Sequence, residues 1–190
     1  MSVPSTAPHR PALRLVGGAE ASELRPELDP RDFDAVFRRF SPYVARVALR
    51  LLGSDSEVDD LVQEVFLEAH RGLDQLRDAQ ALRGWLSRVC VRRATRRLRR
   101  RRLRAFFSLE LVEERELPVS PAATPEQRLE VARVYRCLDR LPTEQRVAWV
   151  LRFVEGESLD ALVVLCGCSK STVQRRLRAA QARIEQEVPT

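Results

Sequence analysis

The sequence predicts an all-α protein: two small helical domains, an N-terminal helical bundle and a C-terminal helix-turn-helix domain, joined by a flexible acidic linker. Three observations carry this expectation. Leu, Ala, Arg and Glu dominate and only 7 of 190 residues are glycine, a composition that favours helix. Apolar residues recur three and four apart through two separate stretches, the spacing of one helix face. Between those stretches, residues 105–124 lose the spacing and hold Glu110, Glu113, Glu114 and Glu116 with Pro118 and Pro121.

The first element is a tail. Residues 1–30 carry five of the eleven prolines and the pair Gly17-Gly18, with little periodicity, so disorder is expected. The N-terminal domain spans 31–104. From Phe33 apolar residues fall at 33, 36, 37 and 40, then at 44, 47, 48 and 51. Ser41-Pro42 interrupts the series; Ser caps helices and Pro suits a first helical position, so a kink or restart is expected there. Gly53 ends the helix, and Ser54 with Glu57 three residues on reads as a capping box. The next helix buries Val58, Leu61, Val62, Val65, Phe66 and Ala69 and ends near Gly72. A third starts near Asp78 and buries Leu82, Trp85, Leu86 and Val89 before its apolar stripe fades into arginines.

The C-terminal domain spans 125–190. Thr124-Pro125-Glu126-Gln127 opens it with a Thr cap, Pro at the first position and Gln at the third. Val131, Val134, Tyr135, Leu138 and Leu141 form the stripe of its first helix. Leu141-Pro142-Thr143 breaks and recaps. A helix with Val147, Ala148, Val150, Leu151 and Val154 follows, stopped by Gly156. Ser158 caps a short helix, Cys166-Gly167-Cys168 makes a tight turn, and Ser169 caps a last helix with Val173, Leu177, Ala180 and Ile184 inward. Short helix, Gly-containing turn and Ser-capped helix is helix-turn-helix geometry.

Charge gives the functional classes. The chain carries a net +6 and has a pI near 9.9, which predicts an anionic partner. Ten arginines and no acid lie between Arg88 and Arg104, whereas Asp55 to Glu68 holds six acids and no base. Burying an unpaired cation costs several kcal/mol, so the arginine run faces water or a polyanion. Two adjoining segments of opposite sign therefore predict two partners of opposite sign. In the acidic segment no His, Lys or nucleophile accompanies the carboxylates, which argues for docking on a basic protein surface over acid–base or metal chemistry. The last helix exposes Lys170, Ser171, Thr172, Gln174, Arg175, Arg176, Arg178 and Arg183; short hydroxyls and an amide in its first turn suit base edges, and the later arginines suit phosphates.

Other classes find no support. Cys166 and Cys168 lack the usual zinc spacing, His9 and His70 are not placed to complete a site with Cys90 or Cys137, and reduced thiols are expected. No phosphate loop, nucleophile elbow or metal quartet is present, so neither a cofactor nor an enzymatic activity is predicted. The N-terminus has no apolar run of signal-peptide type and no stretch is long enough to span a membrane, so the expected location is the cytoplasm, without membrane insertion.

At this point the pieces resemble a family, the bacterial extracytoplasmic-function sigma factors. The residues that carry the likeness are Asp60-Leu-Val-Gln63-Glu64-Val-Phe66, then Leu82-Arg-Gly-Trp85-Leu86 running into the basic helix. In the second half they are Leu141-Pro142-Thr-Glu-Gln-Arg146, Gly156, and Ser169-Lys-Ser-Thr172-Val173 through Arg176-Leu177. The likeness covers about residues 32–104 and 126–186. It implies that Asp60, Gln63, Glu64 and Phe66 dock on the clamp helices of the RNA polymerase core. It implies that Trp85, Arg88, Arg92, Arg93, Arg96, Arg97 and Arg100 meet the upstream melted promoter element. It further implies that Ser169, Lys170, Ser171, Thr172, Gln174, Arg175 and Arg178 read the distal element of promoter DNA, and that an anti-sigma factor is a further partner. Two departures stand out: Arg92 and Arg96 occupy positions where the family has an Asn and an Asp, and Ala161-Leu162-Val163-Val164 replaces Glu-Ile-Ala-Glu. Two rival readings remain, a stand-alone helix-turn-helix regulator and a degenerate sigma-like protein that binds polymerase without opening promoters.

Overall fold

The computed structural model describes residue 29 and residues 32–72, 79–107, 119 and 122–187. The expected tail, apart from Asp29, and most of the expected linker lie outside the described residues. What is described is helical throughout its regular elements.

Helix α1 runs from Phe33 to Leu52. The Asp32 carboxylate caps it by accepting from the Ala35 N–H at 2.9 Å, and Gly53 at φ +66° stops it. Pro42 lies inside this helix, so the restart expected at Ser41-Pro42 does not occur. A proline within a helix costs about 3 kcal/mol. Burying Val36, Val44, Val47, Ala48 and Leu51 along one face outweighs that, at roughly 1.5–3 kcal/mol for each larger side chain.

Helix α2 spans Val58–Gly72 and buries the six apolar residues its spacing predicted. The capping box at Ser54 does not form. Ser54 Oγ instead bonds Ser56 Oγ at 3.0 Å, and the Glu57 carboxylate turns to Arg101 and Arg104. Competition from cations won over the backbone N–H groups.

Helix α3 is longer than expected, from Ala79 to Phe107. Its apolar stripe does not stop at Val89; Cys90, Val91, Ala94 and Leu98 are buried too. The helix thus runs three residues past the expected boundary at 104. Trp85, expected to be buried, is half-buried and lies over Gly72, where a Cβ would come within 3.2 Å of its ring.

In the second half, α4 (Pro125–Arg140) opens with the expected capping box: Gln127 N–H donates to Thr124 Oγ1 at 3.3 Å, and Thr124 N–H donates to Gln127 Oε1 at 3.0 Å. Helix α5 (Thr143–Trp149) follows Pro142 without a side-chain cap and widens into a π-helical turn, Val150–Val154. Helix α6 (Leu159–Cys166) is capped by Ser158 and ends at Gly167, φ +60°. Helix α7 (Lys170–Glu187) turns Val173, Leu177, Ala180 and Ile184 inward, as the spacing predicts.

The two halves do not hang apart. They share a buried polar seam at the C-terminus of α1, where the last carbonyls of a helix have no partner within it. Tyr135 Oη donates to Arg50 O at 2.9 Å. Arg146, only 4% exposed, donates to Leu51 O at 3.0 Å and Leu52 O at 2.8 Å, and its other arm pairs with Asp139. The Arg50 guanidinium meets Glu155 at 2.8 Å, both side chains under a tenth exposed. Gly53 is held in this seam: a Cβ there would lie 2.6 Å from Tyr135 Cδ1. One cation and one hydroxyl from the second half thus complete the helix terminus of the first, where a positive charge is also favoured by the helix dipole.

Candidate functional site: an acidic helix against an arginine helix

The acidic and basic segments pack side by side, and part of each is the other's partner. Positions 93, 97 and 101 fall four apart on one face of α3, and that face lies along α2. Glu64 accepts from Arg97 at 2.8 Å and pairs with Arg93 at 3.3 Å. Glu68 accepts from Arg93 at 2.9 Å and also pairs with Arg92. Glu57 meets Arg101 at 2.6 Å and Arg104 at 3.9 Å. Partial burial pushes the Glu68 carboxyl up, but the hydrogen bonds from Arg92 and Arg93 outweigh it and hold the group below the usual carboxylate range. The bond to Glu68 in turn holds Arg93 above its ordinary value. A large part of the charge in both segments is thus satisfied internally, and only the remainder is free to meet external partners.

What remains free divides by face. Asp55, Asp59, Asp60 and Gln63 are exposed at the start of α2 and make no ion pair among the described residues. Phe66 is 2% exposed, its ring 4.8 Å from Phe37 and 6.3 Å from Phe33 in edge-on packing. It presents no surface and instead holds α2 against α1. On α3, Arg88, Arg96 and Arg100 are exposed without an ion pair among the described residues, whereas Arg92, Arg93 and Arg97 are engaged by α2. The two arginines at the departing positions thus have different surroundings. Arg92 is tied to Glu68, and Arg96 points outward. Near the start of α3, Tyr43 Oη and Ser87 Oγ are 2.8 Å apart and Arg83 stacks over the Tyr43 ring at 4.7 Å, which fixes the helix on α1 beside Trp85.

The second candidate surface is the start of α7. Ser169 Oγ accepts from the Thr172 N–H at 3.3 Å and lies 3.0 Å from Ser171 Oγ and 2.9 Å from Thr172 Oγ1. Lys170 pairs with Asp160 of α6 at 3.0 Å. Gln174, Arg175 and Arg178 are exposed on one face, and no hydrogen bond holds them among the described residues. Trp149 Nε1 donates to Gln181 Oε1 at 2.9 Å and locks α5 onto α7.

Sequence reasoning missed the seam. Arg50, Arg146, Tyr135 and Glu155 are where the halves join, yet the periodicity places Tyr135 only in the stripe of its own helix and singles out neither Arg50 nor Glu155. One signal existed: Arg50 interrupts the apolar run Leu49, Leu51, Leu52, a position where a charge needs a buried partner. The cysteines are free thiols, Cys90 and Cys137 buried and the others half-buried. Burial pushes Cys90 up to about 12 and Cys166 up to about 11, so little thiolate forms at neutral pH. Among the described residues no three His, Cys, Asp or Glu gather as metal ligands, and no helix is long and apolar enough to cross a membrane.

Comparison with known proteins places both halves. Residues 36–104 match the family model described as Sigma-70 region 2, and residues 132–184 match Sigma-70, region 4. The chain is 34% identical over 153 residues to the ECF RNA polymerase sigma factor SigM of Mycobacterium tuberculosis, covering 80% of this chain and 74% of that one. It is 30% identical over 169 residues to the ECF RNA polymerase sigma-E factor of Escherichia coli K12, covering 84% and 88%. Among solved structures, the sigma factor RpoE of Bartonella quintana in complex with the anti-sigma factor NepR superposes with a TM-score of 0.63 at 22% identity, over 82% of this chain and 96% of that one. CnrH in complex with the cytosolic domain of CnrY gives 0.54 at 25% identity, over 82% and 86%.

Proposed function

The chain belongs to the extracytoplasmic-function sigma factors, subunits that direct bacterial RNA polymerase to promoters and catalyse no covalent step, and we propose how its residues divide that work. Residues 31–107 form the unit that binds the polymerase core and the upstream melted element, 108–124 the linker, and 125–190 the unit that reads the distal element. Asp60 and Gln63, with Asp59 beside them, are the docking contacts for the basic clamp helices of the core. Glu64 joins them only by giving up part of its hold on Arg93 and Arg97. The free face of α2 supports the reading best: Asp59, Asp60 and Gln63 are exposed with no ion pair among the described residues, beside the carboxylates that quiet α3.

The DNA contacts follow the same division. Arg88, Arg96 and Arg100 meet promoter phosphates directly, and Arg92, Arg93 and Arg97 join them once α2 is engaged by the core. Trp85 supports the start of that helix. On α7, Gln174 and Arg175 face base edges and Arg178 a phosphate, while the Ser169 hydroxyl, bonded to those of Ser171 and Thr172, caps the helix and Lys170 steadies α6. Strand opening is driven by binding energy, as tight contacts to separated strands shift the equilibrium. Two modest DNA modules carried on one polymerase gain by effective concentration. The protein works in the cytoplasm. An anti-sigma factor is a further partner of this reading, supported by the relatives solved with NepR and CnrY.

The test is direct. Asp60→Ala with Gln63→Ala abolishes binding to purified core while circular dichroism stays unchanged. Undiminished core binding overturns the docking assignment. Run-off transcription over a genomic-fragment library, with and without the protein, yields discrete new start sites; core binding without starts favours the degenerate reading.

A further inference from the structure

Where the halves meet, a groove of about 400 Å³ opens between α3 and the α5–α6–α7 unit. Five arginines line it, Arg88, Arg92, Arg96 and Arg99 from α3 and Arg176 from α7, against a single carboxylate, Glu144. Arg99 occupies that carboxylate with bonds of 2.9 and 2.7 Å, and Arg92 is taken by Glu68. Arg88, Arg96 and Arg176 face the groove with no ion pair among the described residues. Arg176 is half-buried and held in place by a bond from Nη1 to Cys168 Sγ at 3.3 Å, so its position is set before any ligand arrives.

Three guanidiniums lining one concave site, with no carboxylate left free to pair with them, raise the positive potential inside it. An anion held between them lowers that potential. A guanidinium offers a planar fork of donors that matches phosphate oxygens two at a time. The volume falls in the range of small-ligand pockets, and Val147 and Val164 supply an apolar wall. Duplex DNA presents evenly spaced phosphates along a convex surface. Charge converging from both sides of a groove suits contiguous phosphates on a small molecule.

We propose that this groove binds a compact polyphosphate, two or more contiguous phosphates either free or carried by a nucleoside, and that the bound ligand bridges α3 to α7. Occupancy withholds Arg88 and Arg96 from DNA and favours the packed arrangement of the halves. The binding itself does not depend on the promoter reading, so the two can fail separately.

The experiment is calorimetric titration of the full chain at physiological ionic strength with inorganic tripolyphosphate, a nucleoside triphosphate and a nucleoside monophosphate. One site per chain is expected, with the monophosphate at least about tenfold weaker. Arg96→Gln and Arg176→Gln each weaken tripolyphosphate by about tenfold, the scale of one charge-assisted contact. Arg136→Gln removes the same charge from α4, away from the groove, and leaves the affinity unchanged. Tighter binding of the nucleoside triphosphate than of tripolyphosphate assigns the apolar wall to a base; equal binding assigns the site to the phosphates alone. An equal loss in all three variants, several weak sites, or preference for single-stranded DNA in competition overturns the proposal. All three variants replace groups that are not buried, so unchanged melting curves confirm that a lost signal is not a lost fold. Bridging is read by hydrogen exchange at Gly53 and Leu141, which slows with ligand; unchanged exchange overturns that clause.

Discussion

Replacing Glu64 and Glu68 together by glutamine tests the electrostatic exchange between α2 and α3. Glutamine keeps the shape and removes the two charges that hold Arg92, Arg93 and Arg97. In the chain without polymerase, three guanidiniums then become free to meet phosphates. Each phosphate neutralised adds about 0.7 to the salt slope on single strands and about 0.9 on duplex. Three contacts steepen the slope by about 2–3, so between about 50 and about 200 mM salt the variant loses roughly 20- to 40-fold more affinity than the parent does. The cost in stability is modest per pair. Arg93 is 30% exposed, Glu64 40% and Glu68 26%, so each pair is worth about 0.2–1 kcal/mol after solvent screening. Four pairs together are worth about 1–4 kcal/mol and lower the melting temperature by roughly 2–16 °C at about 2–4 °C per kcal/mol. The assay is fluorescence anisotropy of a labelled fork DNA across a salt series. Parallel lines for parent and variant, with equal affinity at low salt, would refute the idea that α2 masks α3.

Further outcomes test the seam and the reading helix. Arg146→Met leaves Leu51 O buried without its donor and Leu52 O with Arg101 alone, so it costs about 1–3 kcal/mol and lowers the melting temperature by roughly 2–12 °C; a change under about 1 °C rules out the seam as a stabilising contact. Arg175→Ala weakens engagement of the distal element by about 1–3 kcal/mol at one base position if it contacts a base, and weakens all sequences equally if it contacts phosphate, as binding to a panel of single-base variants will distinguish. Acid destabilises the protein through Glu68 and Glu144. Burial raises both carboxyls, yet Arg92 with Arg93, and Arg99, bring them below the usual carboxylate range. With folded values depressed, the unfolded chain binds more protons, so this stability is complete above about pH 4.5 and is lost as pH falls through the folded values. Urea midpoints that do not fall between about pH 5 and about pH 3 would contradict it.

Much of this was legible in the chain. Gln127 three residues after Thr124 specified the start of α4, and the apolar spacing named the inward residues of α2 and α7, because caps and periodicity are local properties of the backbone. The restart expected as one outcome at Pro42 does not occur, because burial along one face of α1 opposes the local penalty. The capping box at Ser54 failed for the same kind of reason: Glu57 sits within reach of Arg101 only after α3 has folded back along α2.

The sequence by itself determined the helices, their inward faces, the family, and the presence of one acidic and one basic segment. Only the tertiary structure decided which charges are free. Residues 29 positions apart in the chain, such as Glu64 and Arg93, neutralise each other when two helices lie side by side. Arg50 and Glu155 become a buried pair only because the halves close on the end of α1. Charge signs are written residue by residue, but electrostatic energy depends on distance and burial, and both are set by packing.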